Sequence, residues 1–125
     1  MRRKVLLTGL VIFAVLILTG TVQAAANKYG IADKRQVRFY DPVWVGSVLL
    51  PAGEYDVRHT MQGEEHVMVF RQMFAKTPAE AQVRCTLVPV IKPIEQDQVG
   101  FRSNSAGQLV LHRLAFKGDR AEHVF

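Results

Sequence analysis

The chain has 125 residues, a formal net charge of +5, 4 histidines and 1 cysteine. A single cysteine excludes an intramolecular disulfide even in a compartment that permits one. Arg2, Arg3 and Lys4 account for much of the charge; without them 13 basic side chains face 11 acidic ones, and a net +2 excludes an electrostatic footprint for nucleic acid.

Residues 1–26 read as a signal peptide. Arg2, Arg3 and Lys4 form a basic start, an apolar run over 5–18 follows, and Val22-Gln23-Ala24 and Ala24-Ala25-Ala26 are both small-residue cut sites. Cleavage after Ala24 or Ala26 leaves a mature start at Ala25 or Asn27. The alternative is an uncleaved inner-membrane anchor, although the apolar core falls short of the roughly 20 residues of a full span. With no cysteine near the cut, a lipid anchor is excluded. The expected location is the periplasm or the secreted fraction, with the membrane met only through the leader before cleavage. About a hundred residues remain, enough for one domain that buries somewhat over 60% of its unfolded surface.

Residues 27–36 are polar and predict a loose N-terminal arm; 37–125 predict a single β-domain. A short strand over 37–40 ends at Asp41-Pro42. The stretch 43–57, VWVGSVLLPAGEYDV, predicts two strands folded back on a turn at Leu50-Pro51-Ala52-Gly53, because Pro51 pre-sets φ for a type I turn and Gly53 accepts positive φ. Beyond it, Tyr55, Val57 and Met61 alternate with polar residues, with His59 on the apolar side. Gln62-Gly63-Glu64-Glu65 makes the next turn. Residues 66–74 form a strand with apolar side chains of both parities, so both faces are covered along part of it.

Residues 75–82 predict either a helical turn capped by Thr77 and Pro78 or a plain loop. Further strands are expected over 83–91, 99–102, 109–116 and 122–125, with Pro89 and Pro93 sending the second half of the first of these to a sheet edge or out of the sheet. The parity switch from Leu109 and Leu111 to Leu114 and Phe116 predicts a bulge near His112-Arg113. Six or seven short strands at turn spacing indicate an all-β fold, a small antiparallel sandwich or partly open barrel.

The motif formed by Val43, Val45, Gly46, Leu50, Pro51, Ala52, Gly53, Glu54, Tyr55 and Val57, with Phe116 and Gly118 later, resembles that of a group of small, uncharacterised exported bacterial β-proteins carrying VxVGxxxLPAGxYxV. The resemblance implies a β-fold and export. The group has no assigned activity, so no catalytic residue is carried over.

Site chemistry leaves little spacing signal. His59, His66, His112 and His123 form no close H-x-H or H-x-x-x-H pair, and Cys85 has no C-x-x-C partner, so no metal site and no cofactor are expected. Spacing is blind to ligands that separate strands bring together, which makes this an expectation of absence only. Cys85 lies on the apolar parity of its strand and reads as a buried, inert thiol. Ser47, Ser103 and Ser105 sit in no nucleophile motif. Glu64-Glu65 and Glu95 with Asp97 read as solvated loop acids. Phe125 at the end of the chain is a feature of outer-membrane barrels, but strands of four to nine residues are too short for one. No enzyme is expected. The reading is a non-catalytic envelope or secreted interaction module whose partner is another envelope protein, met through an exposed strand edge. The alternative is a small β-barrel binding an apolar ligand between its sheets.

Overall fold

The computed structural model describes residues 28–62 and 65–125. The predicted signal peptide, and Gly63 and Glu64 of the predicted turn, lie outside the described residues. Nine strands follow in chain order: β1 Lys34–Phe39, β2 Val43–Val45, β3 Val48–Leu50, β4 Gly53–Gln62, β5 Glu65–Gln72, β6 Glu80–Pro89, β7 Gln98–Ser103, β8 Leu109–Ala115 and β9 Ala121–Val124. There is no helix among the described residues, so residues 75–79 are a plain loop leading into β6.

Pairing runs β1-β4-β5-β6-β9-β8-β2-β3 without closing, and β7 adds to β8. Two strands divide their partners along their length. β6 pairs with β5 over Glu80 to Cys85 and with β9 over Thr86 to Pro89. β8 pairs with β7 along one edge, while its other edge meets β2 at Leu109 and Val110 and β9 at Arg113 and Leu114.

Alternation places one face of each strand in a common core. Val37 and Phe39 of β1, Tyr55 and Val57 of β4, Met68 and Phe70 of β5, and Leu111 and Leu114 of β8 meet Val43, Val45 and Leu50 there. Phe39 lies at the centre of an aromatic group, with ring centroids 5.4 Å from Tyr55, 6.3 Å from Phe70 and 6.2 Å from Phe101. The Tyr55 contact is tilted, the Phe70 contact stacked and the Phe101 contact edge-on, at separations that suit aromatic pairs. On β5 both Val67 and Met68 are buried, as the mixed parity predicts.

The predicted central hairpin is corrected. The tight turn is at Gly46-Ser47, where Val45 faces Val48 and Gly46 takes a φ of 59°. A two-residue hairpin loop needs that positive φ, and Gly-Ser supplies it. Pro51-Ala52 does not fold β3 onto β4. It carries the chain across to the other part of the sheet, where β4 pairs with β1 and β5. The hydroxyl of the buried Tyr55 donates to the Pro51 carbonyl at 2.6 Å and pins that crossing.

Three further differences have physical reasons. The described residues hold nine strands against the predicted six or seven, and one of the added strands comes from splitting 43–57 into three with a Gly46-Ser47 turn. The pairing is not wholly antiparallel, because β2 runs parallel to β8. The predicted arm is shorter than 27–36, since Lys34, Arg35 and Gln36 pair with Arg58, Val57 and Asp56 of β4; backbone pairing on an edge strand needs no apolar side chains. The predicted bulge is present: Gly100 faces Arg113 and Phe101 faces Leu111, so His112 has no opposite residue and the parity of β8 switches there.

Candidate metal centre

Register alone assembles the site. His59 lies opposite Met68, and Met61 opposite His66, across β4 and β5. His66 in turn lies opposite Cys85 of β6. Directly paired residues share a sheet face, so these five side chains point to the same side. His123 of β9 joins them, paired with Leu87 and Leu114.

The geometry is close. A ring nitrogen of each of His59 and His123 and the sulfur of Cys85 all lie within 4.8 Å of one another. Cys85 Sγ is 3.7 Å from His123 Nδ1, and His66 Nδ1 is 3.2 Å from His59 Nε2 in a shared hydrogen bond. The rings of His59 and His66 stack at 5.2 Å, and His59 meets His123 at 5.2 Å. Metal–nitrogen and metal–sulfur bonds near 2.1 and 2.3 Å in a tetrahedral site put donor atoms about 3.3–3.6 Å apart. The Cys85–His123 separation is therefore already close to a bound geometry, and the widest pair has roughly 1 Å to close.

His123 and Cys85 are buried, and His59 and His66 are half-buried. Burial, followed by His59, His66 and Arg35, lowers the His123 pKa to about 4. Burial, then His66, also holds His59 below its ordinary value, while Asp33 pulls the other way. Burial pushes the Cys85 thiol up to about 11. At neutral pH the His123 and His59 imidazoles are thus uncharged, with lone pairs available to a metal, and the thiol keeps its proton unless a metal displaces it.

Behind His123 stands Phe116, with ring centroids 5.8 Å apart, and the guanidinium of Arg35 lies over that ring at 5.5 Å. Arg35 pairs with the fully buried Asp119 at 2.6 Å. Burial raises the Asp119 pKa against the pull of Arg35. In front, an open groove of about 530 Å³, lined by Tyr29, His66, Arg84, Cys85 and Phe125 among others, leads from solvent to the thiol. A second groove of about 430 Å³, on the side of Asp33 and Arg58, reaches His59. The donors have an entry path.

Of the residues weighed from sequence, His59, His66, His123 and Cys85 come together, and His112 does not. His112 contacts Arg102 at 3.1 Å on an exposed face. Ser47 sits in the β2–β3 turn, and Ser103 and Ser105 lie at and beyond the exposed end of β7. Glu65 pairs with Arg84 on the surface, and Asp97 accepts from the backbone of Lys117. The signal that could have found the cluster is parity rather than spacing. His59 shares the apolar side of β4 with Tyr55 and Val57, and Cys85 the apolar side of β6 with Ala81. A histidine on an apolar face needs a polar partner inside.

No protein-family model, no curated protein and no solved structure matches this chain. Its class therefore rests on what has been described: among the described residues, an all-β fold with an open nine-stranded sheet and a cluster of His59, Cys85 and His123.

Proposed function

We propose that this chain is an exported, non-catalytic binding module and that its ligand is a soft transition-metal ion held by His59, Cys85 and His123. The observation that carries the reading is the convergence of donor atoms from three separate strands within 4.8 Å, two of them on buried residues. Thiolate and imidazole together suit zinc and copper rather than the oxygen-loving magnesium or calcium. We read the open sheet as a partly open barrel, with β6 passing from the β5 side to the β9 side. Support for export comes from the leader pattern of residues 1–26. Intact mass of the periplasmic fraction tests it, with a start at Ala25 or Asn27 expected and a membrane-bound species retaining Met1 refuting it.

The apolar-ligand alternative is less well supported, because Phe39, Tyr55, Phe70 and Leu114 fill the interior at 2% exposure or less. Contact with another envelope protein keeps a specific observation in its favour. Tyr40 at the end of the edge strand β1, and Val99 and Phe101 on the edge strand β7, are exposed beside an apolar groove of about 210 Å³ that Val43 and Leu109 also line.

Metal analysis of protein purified without chelators, followed by titration with zinc and copper, tests the metal reading. One equivalent is expected, lost on chelation and absent from a Cys85→Ser, His123→Asn double variant. Wild-type protein that takes up no stoichiometric metal refutes it.

A further inference from the structure

We infer that the ion this site is built for is monovalent copper(I), bound as a neutral complex with the Cys85 thiolate and the imidazoles of His59 and His123. The inference rests on the metal-binding reading above and names its ligand.

Charge decides it. Cys85 is the only member of the donor group that becomes an anion. Glu65, the acid nearest in chain order to His66, is already paired with Arg84 at 2.9 Å on the surface. On binding, the S–H bond breaks, the proton leaves to solvent, and a sulfur–metal bond forms. Copper(I) and one thiolate then sum to zero, whereas zinc(II) or copper(II) leaves a net positive charge in the site.

That charge would sit in poor surroundings. His123 is 1% exposed and Cys85 8%. The cross-strand neighbours are Met68 beside His59 and Leu114 beside His123, and Phe116 closes the back. A net charge moved out of water into such an apolar setting is strongly penalised unless a counter-charge meets it. Of the acids near the site, Asp119 is committed to Arg35, and Asp33, which acts on His59, is exposed to solvent, where its charge is screened; Arg35 itself disfavours a further positive charge on His123. Softness points the same way. Met61 and Met68 lie opposite His66 and His59 in the β4–β5 register, so the face that carries the thiol and imidazoles also carries two thioethers. Thiolate suits zinc as well as copper(I), and it is the two soft thioethers that favour the softer, monovalent ion.

Coordination number agrees. Structural zinc sites close with four protein ligands. Here three donors fall within the common radius, and His66 stands beside them, bonded to His59 and facing the groove. Copper(I) is satisfied by three donors, whereas zinc(II) on the same three would need water or His66 as a fourth.

The test is an anaerobic competition on the exported protein. Copper(I) is supplied from a chromophoric copper(I) chelator, with and without a hundredfold excess of zinc(II), and bound metal is read by native mass spectrometry. One equivalent of copper(I) that survives the zinc excess is expected, together with an ultraviolet thiolate-to-copper(I) band, since Cys85 is the one thiol of the chain. Cys85→Ser should weaken copper(I) binding by at least the roughly 100-fold at the upper end of what losing an outer-shell partner costs. Zinc displacing copper(I) overturns the copper inference and leaves the metal-binding reading in place. No metal bound at all overturns both. Copper(I) bound without that thiolate band overturns the site assignment, and that readout needs no variant to fold.

Discussion

Acid should unfold the metal-free protein, and His123 is the residue chiefly responsible. Its side chain is 1% exposed, and burial with neighbouring His59, His66 and Arg35 lowers its pKa from 6.5 to about 4. The folded state keeps the ring neutral at pH values where the unfolded chain protonates it. Stability from this group is therefore fully present above the unfolded value of 6.5 and is lost as pH falls through the folded value of about 4. Inside that window the loss runs at about 1.4 kcal/mol per pH unit, which gives about 2 kcal/mol near pH 5 and about 3 kcal/mol near pH 4. Domains of this size hold about 5–15 kcal/mol in all, so the effect is large. His59, also lowered by burial and by His66, adds to the loss. Asp119, raised by burial, opposes it at the acid end, because the folded state favours its protonated form. Urea midpoints measured with a chelator present, between about pH 7 and pH 4, read the slope directly. His123→Leu should flatten most of it. A flat wild-type profile, or an unchanged slope in His123→Leu, would refute the assignment of a neutral buried imidazole.

Three other outcomes are expected. Tyr55→Phe removes the hydroxyl that donates to Pro51 at 2.6 Å, leaving a carbonyl without its partner, and should cost about 1–3 kcal/mol in a urea melt; an unchanged midpoint means water replaces the bond. Gly46→Val forces a β-branched residue into a φ of 59°, with its Cβ 3.4 Å from Val83, and should lose at least about 1–2 kcal/mol, whereas Gly46→Asn should lose less. The Cys85 thiol, pushed up to about 11, should react slowly with iodoacetamide in the native protein at neutral pH and at once after denaturation; equal rates would place it in an activated setting.

Much of the strand layout was legible in the sequence because alternation and turn residues are local. The windows around β5, β6, β8 and β9, and the bulge at His112, followed from parity alone. Partner choice was not local. Gly46-Ser47 and Pro51-Ala52-Gly53 are both turn signals seven residues apart, and only the distant strands β1 and β5 decide which of them closes a hairpin. The parallel pairing of β2 with β8 has no signature in either segment. The site was hidden for the same reason. His59 and Cys85 are twenty-six residues apart, Cys85 and His123 thirty-eight, and a ligand set spread over three strands leaves no spacing to find. What the chain did display was a histidine and a cysteine each on the apolar side of its own strand.

The bond between Arg35 and Asp119 joins residues 84 apart in sequence, and Arg120 donates its backbone N–H to Tyr29 at 3.0 Å. The short strand β9, which carries His123, is thus held by β6 and β8 and stapled at its entry to the segment around β1. Apart from the local pairing of β9 with β8, these contacts close long loops, and such contacts form late because chain entropy opposes them until the rest of the sheet is in place. The deepest donor of the cluster accordingly meets Cys85 only when the long loop between β6 and β9 closes. A half-folded chain offers separate weak ligands instead of a site, so uptake of an ion and completion of the fold become a single cooperative event. A spectroscopic signal from bound metal would rise in one phase with the burial of the core.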